Sequence, residues 1–101
     1  MKKLIIILIF FNFSILNCAE IKLEKIIQDL NRPWSLSFIN HENIIFTEKS
    51  GKLFILNLAT KKKSEIQHNL SVLEVGQGGL LDVINYKGVI YISYSENRGN
   101  W

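Results

Sequence analysis

Apolar and polar residues alternate along much of this chain with a period of two, and short polar turns interrupt the alternation at close intervals. Trp34-Ser35-Leu36-Ser37-Phe38 sends Trp34, Leu36 and Phe38 to one face of a strand and the two serines to the other. Just before it, Asn31-Arg32-Pro33 is a break, because Pro33 lacks an amide donor and drives Arg32 toward extended torsions. Asn40-His41-Glu42-Asn43 is a polar turn, and Ile44-Ile45-Phe46-Thr47-Glu48 follows as a β-branched and aromatic run that predicts a second strand. Lys49-Ser50-Gly51 turns the chain into a third, Lys52-Leu53-Phe54-Ile55-Leu56. Beyond Ala59-Thr60-Lys61-Lys62-Lys63, the more polar Ser64-Glu65-Ile66-Gln67-His68 is a candidate fourth. Four strands joined by short turns predict one antiparallel meander. Residues 21–30 fit an extended segment, while Glu24-Lys25-Ile26-Ile27 also suits one or two helical turns.

The glycines add a second element of design. Gly76-Gln77-Gly78-Gly79 runs straight into Leu80-Leu81-Asp82-Val83, and Val89-Ile90-Tyr91-Ile92-Ser93-Tyr94 follows. Glycine is required where torsions are unusual or where main chain approaches another group closely, so three of them around one amide predict a shaped rim with Gln77 on it. Sliding the chain by 45 positions places Leu36 on Leu81, Phe38 on Val83, Ile44 on Val89, Ile45 on Ile90 and Phe46 on Tyr91. A repeat of about 40 to 50 residues with four short strands per unit is the signature of propeller blades. The expected fold class is therefore all-β: the first blade and the start of the second blade of a β-propeller. A blade covers both faces with its neighbours, so a chain that is 48% hydrophobic and carries little more than one blade is expected to aggregate or stay partly ordered alone.

Composition changes this picture at the N-terminus. Lys2 and Lys3 precede an apolar run over residues 4–16, and Cys18-Ala19 offers small residues for cleavage, which reads as an export signal over residues 1–19. The run is too short to cross a bilayer comfortably, so no stable membrane span is expected after cleavage. Removing residues 1–19 takes Lys2 and Lys3 and no acid, which leaves ten basic residues against nine acidic ones, about +1 in place of +3. The alkaline pI of about 9.1 therefore does not argue for a nucleic-acid partner. Cys18 is the sole cysteine, which excludes an internal disulfide and a multi-cysteine metal site; it offers a lipid-attachment point, against which Asn17 stands where a small residue is usual. The favoured reading is an exported protein that loses Cys18 with its leader. Residues 20–101 then form the N-terminal portion of the propeller domain.

Four blocks occur in order and at the spacing of one known family: Leu30-Asn31-Arg32-Pro33-Trp34-Ser35-Leu36-Ser37-Phe38, Phe46-Thr47-Glu48-Lys49-Ser50-Gly51-Lys52-Leu53, Gly76-Gln77-Gly78-Gly79-Leu80-Leu81-Asp82-Val83 and Tyr91-Ile92-Ser93-Tyr94-Ser95-Glu96. The chain resembles the soluble quinoprotein glucose/sorbosone dehydrogenases, in particular their periplasmic aldose sugar dehydrogenase branch. The resemblance implies a six-bladed propeller that binds pyrroloquinoline quinone (PQQ) and calcium near its axis. It also implies oxidation of the anomeric carbon of a sugar, with a histidine as general base, hydride transfer to the quinone and an external electron acceptor. Of the family's site residues only the glutamine of the glycine-rich turn, Gln77, falls within this sequence, as a cofactor-binding residue; no catalytic residue and no metal ligand is assigned. Where relatives carry a His-Pro-Asp-Phe turn, this chain has the shorter Asn85-Tyr86-Lys87-Gly88. The stretch alone is not expected to bind PQQ or calcium or to catalyse. A non-catalytic, exported propeller module used for binding is the alternative reading.

Other residues have plainer readings. Asp82 alternates with Leu81 and Val83 and is expected to face a neighbouring turn in place of a metal. His41 and His68 have no second ligand at suitable spacing and read as solvated surface residues. Trp34 suits core packing better than sugar stacking. Glu48 and Lys49 point to opposite faces and read as turn caps, and Lys61-Lys62-Lys63 as a solubilising connection.

Overall fold

The computed structural model describes residues 20–99. Residues 1–19, on which the expected leader and Cys18 fall, lie outside the described residues, as do Asn100 and Trp101. The described part is all-β, with six strands: β1 (Pro33–Phe38), β2 (Asn43–Glu48), β3 (Leu53–Asn57), β4 (Lys63–Ile66), β5 (Leu80–Tyr86) and β6 (Val89–Tyr94). The first four form one antiparallel sheet in the order β1-β2-β3-β4, and β5 and β6 form a separate hairpin. This is the meander expected from the sequence, with a fourth strand that starts at Lys63 and ends at Ile66. Residues 20–30 take up neither of the regular conformations that their pattern allowed. Ile27 and Leu30 pack against the sheet all the same.

Local chemistry explains the turns. The Asn40 carboxamide oxygen accepts from the amides of Glu42 and Asn43, both at 2.9 Å, and with the main-chain bond from the Ile39 amide to the Asn43 carbonyl at 2.9 Å this closes the β1–β2 turn. Asn57 does the same for Ala59 and Thr60 after β3. Lys87 and Gly88 both have positive φ, 51° and 78°, and they are the two central residues between Tyr86 and Val89, which pair across the hairpin. Two left-handed residues in succession match the twist of the flanking strands, so the short β5–β6 connection is favourable.

The sheet has two apolar faces. On one, Ile45 and Leu53 meet Leu80 and Val83 of β5, with Ile92 and Tyr94 of β6 packed against them. On the other, Ile44, Phe46, Phe54 and Leu56 form a second cluster, in which the Phe46 and Phe54 rings stack at 5.2 Å. β5 lies across β1 and β2 and is tied to them through polar side chains. Ser35 and Ser37 hydroxyls accept from the amides of Val83 and Asn85 at 3.4 and 3.0 Å. The buried Thr47 hydroxyl donates to the Leu81 carbonyl at 2.6 Å. The alternation in β1 thus has two uses: the serines face the hairpin, and Trp34, Leu36 and Phe38 face away from it, along one groove.

The internal repeat is present but its register differs from the 45-residue shift. Leu36 pairs with Phe46 in the first sheet and Val83 pairs with Ile92 in the hairpin. If each unit applies the same face to its predecessor, these two pairs are the equivalent ones, and the shift is one or two residues longer. The irregularity between Leu80 and Val83 repeats the one between Pro33 and Leu36, so β1 maps onto β5 with a shift of 47, and a hairpin connection one residue shorter gives β6 a shift of 46 from β2. A sequence comparison sees apolar residues in both registers and does not distinguish them.

Candidate functional site

β1 and β5 begin, and β2 and β6 end, at the same end of the molecule, because Pro33 pairs with Glu48 and Leu80 with Tyr94. The connections at that end form a rim of closely linked main chain. The Lys49 amide donates to the Arg32 carbonyl at 3.0 Å, and the Lys49 carbonyl accepts from the Leu80 amide at 3.0 Å. The Ser95 amide donates to the Gly79 carbonyl at 2.9 Å, and the Leu73 amide to the Ser95 carbonyl at 2.8 Å. A single residue, Lys49, therefore connects the entry to β1 with the entry to β5.

The glycine-rich turn stands on this rim. Its own closure is a bond from the Gly78 amide to the Val75 carbonyl at 2.8 Å, and Gly76 has a φ of 59°. Gly79 is needed for a different reason. A Cβ there would lie 2.5 Å from the Lys49 carbonyl oxygen, closer than any real Cβ contact, so the strand reaches β2 only with glycine at this position. Gln77 is exposed between these fixed points. Its carboxamide offers two donors and an acceptor to whatever lies over the rim.

Charged groups around the turn each have a partner, one of them another charge and two of them main chain. Arg32 pairs with Glu74. The buried Glu48 carboxylate accepts from the Asn31 amide at 2.9 Å, which fits its expected use as a cap and adds a burial that the sequence did not suggest. The Lys49 ammonium donates to the Gly76 carbonyl at 2.8 Å and stands 5.4 Å from the centre of the Trp34 ring.

The remaining predicted residues divide. Asp82 is exposed on β5, and among the described residues no cluster of three or more His, Cys, Asp or Glu side chains is placed to hold a metal. His41 is exposed in its turn. His68 is also exposed but is tied down: its Nε2 lies 2.6 Å from the Gly51 carbonyl and its Nδ1 accepts from the Leu70 amide at 3.2 Å. A carbonyl can only accept and an amide only donate, so the neutral ring with its proton on Nε2 satisfies both. Trp34 is 46% exposed, Leu36 57% and Phe38 59%, which corrects the expectation that Trp34 packs in a core. These side chains do share one face, and of the described residues only the segment of Ile26, Ile27 and Leu30 borders it, which leaves it largely open. With Ile44, Phe46 and Leu56 they line an open apolar groove of about 570 Å³. That groove is on the opposite face of the sheet from β5, and Gln77 takes no part in it. Thr47 and Lys49 are the residues that sequence reasoning undervalued; the first looked like one polar residue in an apolar strand, the second like a turn lysine.

A four-stranded meander with a hairpin laid face-on against it, and a glycine-shaped rim where the inner strands begin, defines one propeller blade and the opening of the next. A family model described as glucose / sorbosone dehydrogenase matches residues 30–101, and the chain belongs to that family. Among solved structures it is similar to the PQQ-bound form of aldose sugar dehydrogenase from Streptomyces coelicolor, with a TM-score of 0.67 and 20% sequence identity. The similarity covers 73% of this chain and 24% of that chain, so the present sequence spans about a quarter of its structural relative. At this identity the likeness is one of fold. No curated protein matches the chain.

Proposed function

We propose that residues 20–101 supply the opening sector of an exported, PQQ-dependent dehydrogenase that oxidises an aldose at its anomeric carbon, and that Gln77 is its contribution to the cofactor pocket. Family membership and the fold shared with a PQQ-bound sugar dehydrogenase support the reaction class. The leader over residues 1–19 supports export. The observation that carries the assignment of Gln77 is its place: exposed at the tip of a glycine turn whose two ends are fixed to the rim.

The donor set fits the group in part. Gln77 can give and accept hydrogen bonds to the carbonyl and carboxylate oxygens or ring nitrogen of PQQ, while Arg32 is engaged with Glu74 and Lys49 with the Gly76 carbonyl. The cations that balance the cofactor's acidic groups, the calcium ligands and the general base therefore come from other parts of the complete propeller. PQQ, when bound, supplies the acceptor for the sugar's hydride. Gln77 does no proton transfer, since a carboxamide is neutral throughout the physiological range. It orients, and the main chain around it shields the pocket edge from water.

The test is Gln77→Ala in the complete protein, followed by PQQ titration of the apoprotein and sugar-dependent reduction of a dye acceptor. Loss of one positioning hydrogen bond should weaken cofactor binding or slow turnover by about tenfold. Unchanged binding and turnover would overturn the assignment.

A further inference from the structure

Lys49 touches the glycine-rich turn at both of its ends. Its main-chain carbonyl accepts from the Leu80 amide at 3.0 Å, and this is the same carbonyl that leaves no room for a Cβ on Gly79. Its side chain reaches the other end and donates to the Gly76 carbonyl at 2.8 Å. Its own amide is anchored to the Arg32 carbonyl at 3.0 Å, so the residue is held from behind by the start of β1. The Trp34 ring below the ammonium limits where the side chain can lie. Between the two anchored ends the turn is closed by the Val75 to Gly78 bond, Gly79 is bonded to Ser95 through both its amide and its carbonyl, and Gln77 is exposed.

We propose that Lys49 is the positioning residue for Gln77: it clamps both ends of the turn and so sets where the Gln77 carboxamide stands relative to the rim. The proposal rests on the reading of Gln77 given above. Three glycines confer close approach at the cost of stiffness, because glycine has the most backbone freedom to lose. A turn of this composition needs an external anchor if its one functional side chain is to stay in place. A lysine serves because its stem spans from the end of β2 to the Gly76 carbonyl, and a charged donor makes a stronger bond than a neutral one. The main-chain half of the clamp survives any substitution at position 49, and the side-chain half does not. The two halves are therefore separable.

Lys49→Met keeps the stem and removes the donor, and Lys49→Arg keeps the charge, a donor and the stacking on Trp34. In the complete protein, amide hydrogen exchange at Gly78 and Gly79, whose amides are bonded to the Val75 carbonyl and the Ser95 hydroxyl, should quicken by about tenfold in Lys49→Met, the change expected for losing one charged-donor hydrogen bond. Exchange at Ile45 and Leu56, and the Tm, should stay at their original values. Lys49→Arg should return the turn amides to within about threefold of the unaltered protein. In the same variants, Lys49→Met should raise the PQQ concentration needed for half-maximal reconstitution while leaving turnover at saturating PQQ unchanged. Unaltered exchange at the turn in Lys49→Met overturns the positioning role and leaves the Gln77 reading standing. Unaltered reconstitution and turnover in Gln77→Ala overturns that reading, whatever Lys49 does to exchange.

Discussion

The two faces of the four-stranded sheet each carry an apolar cluster, and they differ in what covers them. The face under β5 and β6 buries Ile45, Leu53, Leu80 and Val83 and also takes in polar groups, each with a partner: Thr47 bonds Leu81, and Ser35 and Ser37 bond the β5 amides. The opposite face has its own buried cluster around Leu56, yet Trp34, Leu36 and Phe38 stand half exposed along its groove. A covered face can carry hydroxyls, because the neighbour supplies main-chain partners for them and an unpaired buried hydroxyl is costly. The groove face carries almost none, and its side chains are of the size and shape that a neighbouring blade would cover. The comparison shows how a repeat architecture divides its energetics: much of the stability of a unit lies in interfaces with its neighbours.

The sharpest attempt to break this comparison is Leu80→Ala. Leu80 has no exposed surface and joins the two units, so removing its side chain should cost about 2–5 kcal/mol in urea unfolding. Leu36→Ala, on the open face, should cost less than about 0.5 kcal/mol in the same chain. Equal costs would mean that the groove is covered in the protein measured. Next in size is Gly79→Ala. Its new methyl would meet the Lys49 carbonyl, and either the turn shifts or strain persists, at about 1–3 kcal/mol, seen as a lower Tm and altered amide shifts at Lys49 and Leu80. Thr47→Val tests the polar links of the covered face: the Leu81 carbonyl loses its donor, which should cost about 1–2 kcal/mol. The smallest effect on stability belongs to Leu36→Ser with Phe38→Ser, which should leave unfolding nearly unchanged and reduce self-association in light scattering. Persistence of association in that double variant would place the adhesive surface elsewhere.

Much of the fold was legible because its causes are local. Alternation in Trp34-Ser35-Leu36-Ser37-Phe38, the β-branched run that makes β2, and the polar turn that begins at Asn40 each act within a few residues, and the structure follows them. The glycine turn was legible as a special place, though not for its main reason. Gly79 is dictated by a carbonyl from Lys49, thirty positions earlier, and no pattern near Gly79 contains that fact. The exact shift of the repeat was misread because apolar residues occupy neighbouring registers in β5 and β6, and only the pairing of Val83 with Ile92 selects one. His68 looked like a solvated residue because its partner, Gly51, comes from the turn between β2 and β3.

By itself, then, the sequence determined the strands, their order in a meander, the need for glycine before β5 and the family to which these blocks belong. Tertiary structure alone decided which apolar face is covered, that Thr47 and Glu48 are buried with partners, and that Lys49 holds the turn bearing Gln77. The physical reason is range. A period-two pattern and an asparagine turn are set by adjacent torsions, whereas Thr47 to Leu81 and Lys49 to Gly76 are bonds across 34 and 27 positions, formed only when two units meet.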